Sequence, residues 1–402
     1  MSYTKEEVTE FIKTEDVKFI RLAFCDVFGR QKNAAIVPDE LERAFSHGIA
    51  FQGQQIDGFK GEGSDELFLF PIPSTLTVLP WRSVSGKVVR MFCQIRKADG
   101  SVYPLDSRSV LQGAVDEAKA AGLSVSVGCK CEFYLFKTDE NGEVTQIPFD
   151  HASYMDIAPQ DKGENIRREI CLNLAEMGLH PECSHHEKGP GQNQIDFRRS
   201  EPLECADNTL NFFSVVRSVA MQNGLVSDFS PKPLLSAYGN GFHISLCLEG
   251  TANPQDTESF AAGILHHARE MTAFLNPALS SYARLGNLNA PKYISWGRCN
   301  FSQFLRLTQD STGASVIVVR SPDSLANPYI AYALLIRAGL EGIKQRMTLP
   351  DPIEEDLSRA PADFVSHLEM LPKSLREARE IAQSSPFIKQ SLPKAFVDTL
   401  RS

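Results

Sequence analysis

The sequence predicts an α+β protein with a small N-terminal unit that has its own sheet and a larger unit in which a strongly curved or barrel-like sheet faces helices. Over the first hundred residues, short apolar runs alternate with proline and glycine, a pattern typical of short strands joined by turns. Farther along, strand-like runs alternate with long amphipathic segments, which favours separate layers of strands and helices. The length of 402 residues is sufficient for two or three domains.

The N-terminal unit is predicted to begin with a helix over residues 5–12, where apolar residues recur at helical spacing. A strand follows over residues 18–25 and ends in the turn at Asp26-Val-Phe-Gly29. Proline and glycine separate three more candidate strands, at residues 67–70, 77–79 and 88–94. These segments indicate a small sheet of roughly 100 residues.

An amphipathic helix over residues 109–121 should begin the second unit, and Gly122 follows it as glycine commonly follows a helix C-terminus. We therefore predict two domains, at residues 1–103 and 104–402.

The larger unit alternates strands with helices. The predicted strands are at residues 124–136, 192–197, 241–248, 301–307 and 314–320. The predicted helices are at residues 163–177, 205–223, 256–275, 329–344 and 374–381.

Composition and charge narrow the class of function. The hydrophobic fraction of 42% and the charged fraction of 23% are typical of a globular protein. A net charge of −9 argues against binding to nucleic acid or to an anionic membrane, so we expect a small molecule or a protein as partner. The N-terminus lacks a signal-peptide pattern and no run of 18 apolar residues occurs, so we expect a cytoplasmic protein without a membrane span. Nine cysteines without a CxxC pair predict reduced thiols.

Three predicted strands carry polar residues on one face, because side chains alternate between the two faces of a strand. Lys130, Glu132 and Tyr134 share one face of their strand. His243 and Arg320 lie in two other strands. If these faces line one cavity, it contains a carboxylate, an ammonium, an imidazole and a guanidinium.

Two acids and two histidines cluster from Glu182 to Glu187, next to the glycine-rich segment 188–194. Such a cluster provides ligands for a hard cation or for a transition metal. The alternative is a turn with solvated polar side chains, and the spacing alone favours this alternative.

A series of longer motifs resembles the successive signatures of the glutamine synthetase family, in order and spacing, from about residue 17 to the C-terminus. These motifs are Asp57-Gly58 and residues 131–136, 186–193, 239–243, 289–297 and 320–329. The resemblance implies an N-terminal β-grasp domain and a catalytic domain whose curved antiparallel sheet, backed by helices, forms half of a bifunnel active site. It also implies a ring-shaped homo-oligomer, a hexamer or a dodecamer, with active sites between subunits.

The resemblance implies a ligase reaction in which ATP phosphorylates a carboxylate and ammonia then displaces the phosphate. This chemistry uses ATP, two or more divalent cations such as Mg²⁺, arginines that neutralise the phosphoryl group, and an acid that deprotonates ammonium.

The family's metal positions are only partly retained. Glu132 and Glu187 match two carboxylates of the first metal site, but the third position is Gln194. His243 matches a ligand of the second metal, whereas Lys130 and Val318 occupy the positions of its two glutamates. We therefore expect at most one divalent metal.

The family's arginines are also reduced in number. Arg284, Arg306 and Arg320 match catalytic arginines, whereas Phe301 and Val316 stand where the family has two more.

Four other positions bear on substrate and nucleotide. Asp57 matches the family residue associated with ammonium, and Glu182 matches a nucleotide contact. The flap glutamate is replaced by Asn289, and an asparagine near the substrate amino group is replaced by Tyr238, which favours a substrate other than glutamate.

These replacements support the hypothesis that the Lys130 ammonium takes the place of a metal and pairs with Glu132 or Glu187. Alternatively, Lys130 extends into solvent and leaves Glu132 free for one cation. Each retained arginine has a structural alternative as well, because removing one member of a buried charge network leaves the other members unpaired.

Two functions follow. One is a family member impaired in ATP-dependent glutamine formation that acts as a binding, regulatory or structural homologue. The other is a divergent ligase that joins a non-glutamate carboxylate to ammonia or an amine, with one metal at Glu132, Glu187 and His243. Unrelated chemistry on the same scaffold is a third alternative.

Overall fold

The computed structural model describes residues 3–60, 63–82, 86–249 and 253–400. A small six-stranded sheet contains the N-terminal strands. Its strands and the accompanying helices are α1 (Lys5–Thr14), β1 (Val17–Cys25), β2 (Gln31–Ile36), α2 (Leu41–His47), β3 (Ile49–Gln52), β4 (Glu66–Pro71), β5 (Thr77–Val78) and β6 (Lys87–Lys97).

The small sheet has the strand order β2-β1-β6-β4-β3, and β5 pairs with β6. Strands β1 and β6 are parallel, and the other pairs are antiparallel. All four predicted strands are present. Strands β2 and β3 were not predicted, because β2 (Gln-Lys-Asn-Ala-Ala-Ile) is an edge strand whose first half is polar and β3 has only four residues.

A nine-stranded sheet and its helices make up the rest of the described chain. The strands are β7 (Ser124–Thr138), β8 (Val144–Pro148), β9 (Pro181–His186), β10 (Gln192–Ser200), β11 (Leu225–Asp228), β12 (Phe242–Glu249), β13 (Trp296–Gly297), β14 (Leu305–Gln309) and β15 (Ser315–Val319). The longer helices are α3 (Ser107–Ala120), α4 (Glu164–Glu176), α5 (Pro202–Gln222), α6 (Pro254–His266), α7 (Ala268–Leu275) and α9 (Pro328–Gln345). The shorter helices are α8 (Leu279–Arg284), α10 (Ala362–Val365), α11 (Leu375–Ser384), α12 (Pro386–Ser391) and α13 (Lys394–Thr399).

The large sheet has the order β13-β14-β15-β12-β7-β10-β9, and β8 and β11 also pair with β7. Apart from the parallel pair of β13 and β14, its strands run antiparallel. Helices α3, α5, α6 and α9 pack with one another and against this sheet over a continuous apolar core. The predicted α+β fold with a curved antiparallel sheet backed by helices is confirmed.

The single helix predicted over residues 256–275 is wrong, because the chain forms α6 and α7 with a break at His267. The backbone of His267 leaves the helical region (φ −91°, ψ 12°), while its ring stacks on Phe387 and contacts the carboxylate of Glu270. The periodic apolar pattern continues across the break, so the pattern alone could not locate it.

Among the helices formed by the described residues, none combines the length and apolarity needed to cross a bilayer. All nine cysteines are free thiols, and Cys129 and Cys131 are buried on the core side of β7.

Candidate active site

The polar face of the large sheet brings the predicted side chains together. Strand β7 supplies Lys130, Glu132 and Tyr134 from alternate positions. On one side Lys130 is paired with His243 of β12, and on the other side with Asp196 of β10. Lys130 therefore occupies the centre of a row formed by three neighbouring strands.

Glu132 is held by three donors. The backbone N–H of Gly241 donates to Glu132 Oε2 at 2.7 Å, and Gln192 Nε2 donates to the same oxygen at 3.2 Å. His243 Nε2 lies 3.4 Å from Oε1. Burial alone would raise the pKa of Glu132, but His243, the Gly241 N–H and the charge of Arg284 outweigh this effect and lower it. Glu132 is therefore a carboxylate at neutral pH.

His243 is in the neutral state that a metal ligand requires. Burial and the positive charge of Arg320 lower the pKa of His243 to about 4, although Glu132 acts in the opposite direction. His243 Nδ1 is buried without a hydrogen-bond partner among the described residues. The His243 imidazole and the Glu132 carboxylate therefore offer one nitrogen and one oxygen ligand for a metal ion.

The predicted partners of Lys130 were wrong, because its ammonium binds neither Glu132 nor Glu187. Lys130 Nζ donates to Asp196 Oδ2 at 2.6 Å, across directly paired positions of β7 and β10. Burial acts to lower the pKa of Lys130, but Asp196 outweighs it and raises this pKa, so the ammonium stays charged. The alternative, in which Lys130 reaches solvent and leaves Glu132 free, holds in part: half of the side chain is exposed and the ammonium does not bind Glu132, but it is held by Asp196.

Gln194, which the resemblance predicts to stand at a first-metal position, belongs to the same cluster. Its Nε2 donates to Asp196 Oδ1 at 2.8 Å. Both oxygens of the Asp196 carboxylate are thus engaged, one with an ammonium and the other with an amide.

The polar segment ending at Glu187 is a strand, β9, and not the turn that its spacing favoured. Pairing with β10 buries His186 completely, whereas Glu182 remains exposed. His185 Nε2 lies 3.1 Å from Glu187 Oε1, and Glu187 is mostly buried. The Glu187 backbone N–H donates to the Gln192 carbonyl at 2.8 Å, and the Gln192 side chain donates to Glu132, so Gln192 links the two acidic residues.

Arg284 is buried and contacts backbone oxygens. It donates to the carbonyls of Ser321 at 2.7 Å and Arg320 at 3.2 Å. Burial lowers the pKa of its guanidinium, and Asp323 and Glu132 partly offset this effect. These contacts attach Arg284 to the backbone of the segment that carries Arg320.

Phe301 lies between the two remaining arginines. The guanidinium carbons of Arg306 and Arg320 lie 4.5 Å and 5.0 Å from the centre of its ring. Arg320 also donates to the backbone carbonyl of Phe301. The Phe301 ring therefore contacts the guanidinium groups of both Arg306 and Arg320.

Val318 lies on β15, paired with Ser245 and Arg306, and places an aliphatic group at this position of the sheet. Tyr238 has the ammonium of Lys188 5.5 Å from its ring centre. Asn289 is exposed in the loop between α8 and β13.

Asp57 lies in the small unit, where its carboxylate is 3.7 Å from Arg30 Nη1 and is mostly exposed. The structure thus brings Glu132, Glu187, His243 and Arg320 together, and leaves Asp57 and Glu182 at exposed positions.

Sequence analysis missed Asp196 and Gln192 as members of the site. Alternation along residues 192–196 does place both side chains on the face of Gln194. What the sequence lacked was the register that sets Asp196 against Lys130.

Comparison with known proteins gives one consistent result. Residues 16–98 match the glutamine synthetase β-grasp domain, and residues 104–401 match the glutamine synthetase catalytic domain. The glutamine synthetase of Clostridium saccharobutylicum is 38% identical over 405 residues, covering 97% of this chain and 91% of that protein. The glutamine synthetase of Methanosarcina mazei is 39% identical over 404 residues, covering 97% and 90%. The solved GmaS/ADP complex has the same fold, with a TM-score of 0.88 over 98% of this chain and 94% of that chain at 24% identity.

Proposed function

This chain belongs to the glutamine synthetase family, and we propose that it is a member impaired in ATP-dependent glutamine formation, acting as a binding, regulatory or structural homologue. The observation that carries the proposal is the Lys130 ammonium on Asp196, at a position where family members place a metal-binding glutamate.

The second metal position does not fit a divalent cation. Lys130 contributes a fixed positive charge, Val318 offers no donor, and both Asp196 oxygens are already engaged. At an effective dielectric constant of about 20, an ammonium repels a divalent ion about 4 Å away by roughly 8 kcal/mol. Phosphoryl transfer depends on positioned positive charge around the phosphates, so losing this ion removes a main source of catalysis.

A single divalent cation fits the residues that remain, with Glu132 from the first metal position and His243 from the second. Glu132 is ionised and His243 is neutral, which are the states that bind metals. This observation favours the second candidate, a divergent ligase that joins a non-glutamate carboxylate to ammonia or an amine. In it Glu132, Glu187 and His243 would hold one divalent ion, which would polarise phosphate oxygens.

In that second candidate, Arg306 and Arg320 would neutralise the transferring phosphoryl group and Glu182 would contact the nucleotide. Asp57, exposed in the small unit, would act on ammonium in the site of a neighbouring subunit. Tyr238, whose ring faces the Lys188 ammonium, would restrict which substrates can bind.

We also propose a ring-shaped homo-oligomer, a hexamer or dodecamer with sites shared between subunits. Several large apolar side chains are unusually exposed in the single chain: Leu235, Leu279, Ile157 and Met221 are 72–81% exposed. Light scattering coupled to size-exclusion chromatography tests the assembly, and a monomer at micromolar concentration would contradict it.

ADP release tests the function directly, with glutamate and a panel of other carboxylates, each with ammonia or an amine. We expect no turnover by the native chain and measurable turnover by the triple variant Lys130→Glu, Gln194→Glu, Val318→Glu. Native turnover that disappears in Glu132→Gln would establish the ligase instead. Titration calorimetry with Mn²⁺ gives an independent measure, because we expect at most one ion per native chain, and tight binding of two would refute the proposed loss of the second site.

A further inference from the structure

A cavity of about 510 Å³ lies between the small sheet and the helices of the large unit, away from the candidate active site. Its walls come from β1, β2 and β6 on one side and from α5, α7, α9 and α13 on the other. None of Glu132, Glu187, His243 and Arg320 lines it. The volume is in the range of small-molecule sites.

The charged side chains among the described residues that line this cavity are all basic. Five arginines are among its lining residues: Arg21, Arg30, Arg90, Arg217 and Arg379. Among the described residues that line it there is no aspartate or glutamate, although the whole chain has 50 acids and 41 bases. A low-dielectric cavity lined by one sign of charge concentrates ions of the opposite sign.

Arg90 is the most deeply buried of these arginines, with 2% of its surface exposed. Its guanidinium donates to Asn211 Oδ1, but its Nε has no hydrogen-bond partner among the described residues. The nearby Asp207 carboxylate is already bound by Arg108 at 3.0 Å and by the Tyr329 hydroxyl at 2.6 Å. A buried cation with an unused donor is costly unless an anion completes it.

Arg21 reinforces the positive charge at Arg90. The two residues are directly paired in the parallel ladder of β1 and β6. Burial lowers the pKa of Arg90 to about 10; Asp207 and Tyr329 act in the opposite direction, and the charge of Arg21 adds a smaller lowering. Two like charges side by side at the wall of a cavity are stabilised by an anion bound to both.

Apolar and aromatic side chains also line the cavity, on both the sheet side and the helix side. They include Leu79, Trp81, Phe213, Phe274 and Ile330. A ligand that fits the whole cavity therefore combines a negative group with a hydrophobic body.

We propose that this interdomain cavity binds a small organic anion, with its carboxylate or phosphate at Arg21 and Arg90 and its apolar body against Trp81 and Phe213. Because the ligand contacts both sheet and helices, it joins the two units and stabilises them together. This site is independent of the chemistry at Glu132.

Benzoate and phenyl phosphate are suitable probes, and they distinguish a carboxylate from a phosphate ligand. Benzamide is the neutral control with the same ring. In titration calorimetry of the full-length chain, we expect at least one of the two anions to bind once per chain and benzamide not to bind. Failure of both anions to bind at 10 mM, or equal binding of benzamide, would overturn the proposal.

Trp81 provides a local readout, because the chain has only two tryptophans and Trp81 lines the cavity. We expect the anion to change the fluorescence of the native chain and to produce no change in Trp81→Phe. If the anion changes the fluorescence of the Trp81→Phe variant as much as that of the native chain, it binds elsewhere and the assignment is contradicted.

Arg90→Met and Arg21→Gln should each weaken anion binding at least 10-fold. Arg96→Gln is the matched control, since Arg96 lies on the same strand and stacks on Phe70 outside the cavity. If the Arg90→Met variant does not fold, the affinity of the Arg21→Gln variant for the anion tests the proposal. If a folded Arg21→Gln variant binds the anion with unchanged affinity, the proposal is refuted. If the Arg306→Gln variant loses binding while Arg21→Gln keeps it, the anion binds in the candidate active site and the proposal is also refuted.

Discussion

The ammonium of Lys130 lies 2.6 Å from the carboxylate of Asp196, at directly paired positions of β7 and β10. The two partners are unequally buried, since Asp196 is 7% exposed and Lys130 is 52% exposed. Removing the lysine therefore leaves a buried carboxylate, whereas removing the aspartate leaves an ammonium that water can solvate.

This asymmetry predicts unequal costs in a double-mutant cycle. We expect Lys130→Met to lower the free energy of unfolding by about 1–3 kcal/mol, because Asp196 keeps only the Gln194 amide as donor. Asp196→Asn should cost less than about 1 kcal/mol, because the remaining charge is half exposed. The double variant should be more stable than the sum of the two losses predicts. Urea unfolding followed by circular dichroism measures each value.

Lys137→Met is the control for this cycle, because Lys137 is an exposed lysine near the end of the same strand. It should change stability by less than about 0.5 kcal/mol. Equal costs for Lys130→Met and Asp196→Asn, or additive costs in the double variant, would contradict the pairing.

Phe301 should stabilise the two arginines on either side of it. Each contact of a guanidinium with an aromatic ring contributes about 0.5–1 kcal/mol, so Phe301→Leu should lose about 1 kcal/mol although it keeps an apolar side chain. Phe301→Tyr keeps the ring and should retain the native stability. Because Arg306 and Arg320 repel each other, added salt should recover part of the loss in Phe301→Leu, as measured by urea unfolding at low and high NaCl. A loss in Phe301→Leu that salt does not change, or equal losses for both variants, would argue against this role.

Asn327 should couple the small sheet to α9. Its Nδ2 lies within hydrogen-bond distance of the Asp26 and Val27 carbonyls and of Ser107 Oγ, while its Oδ1 accepts from the Tyr329 N–H as a helix cap. Asn327→Ala should cost about 2–4 kcal/mol, because it removes the cap and buried hydrogen bonds together. Thermal unfolding should show this as a lower melting temperature.

Ser374→Ala is a matched control for Asn327→Ala, since Ser374 caps only α11 and lies on the surface. It should cost about 1 kcal/mol. If the two variants lose the same stability, the interdomain contacts of Asn327 contribute nothing measurable.

The alternation of side chains was enough to predict which residues of β7 face the site. Lys130, Glu132 and Tyr134 share that face as predicted, and Cys129 and Cys131 lie in the core. The partner of Lys130 could not be predicted in the same way, because Asp196 is 66 residues away and only the register of β7 and β10 sets them side by side. Register is a long-range property that local periodicity does not contain.

Strand β9 was missed for a related reason. Its sequence, Pro-Glu-Cys-Ser-His-His, has no apolar alternation, and it is an edge strand whose one partner among the described strands is β10. Burial of His186 results from that pairing and from the contact of its Nε2 with Asp150 at 2.8 Å. Tertiary contacts therefore determined an element that composition assigned to a turn.

Asp106 gives the chain a pH-dependent stability. It is buried where β6 leads into α3, and burial raises the pKa of its carboxyl to about 6, although Ser109 Oγ at 2.6 Å and the Ile95 N–H partly offset the effect. The folded chain therefore holds a proton that the unfolded chain releases near pH 4. The free energy of unfolding should fall as pH rises from about 4 to about 6, by up to roughly 3 kcal/mol, and this contribution should be constant above that range.

Asp106→Asn removes this titration and keeps an oxygen that accepts the same two hydrogen bonds. The stability of the variant relative to the native chain should therefore rise between about pH 4 and pH 6 and then level off, as measured by urea unfolding at a series of pH values. Asp116→Asn, at an exposed position of the same helix, is the control and should show no rise of this size. A difference for Asp106→Asn that does not vary with pH would mean that Asp106 is already ionised in the folded chain at pH 5, and that burial at this junction does not restrain its ionisation.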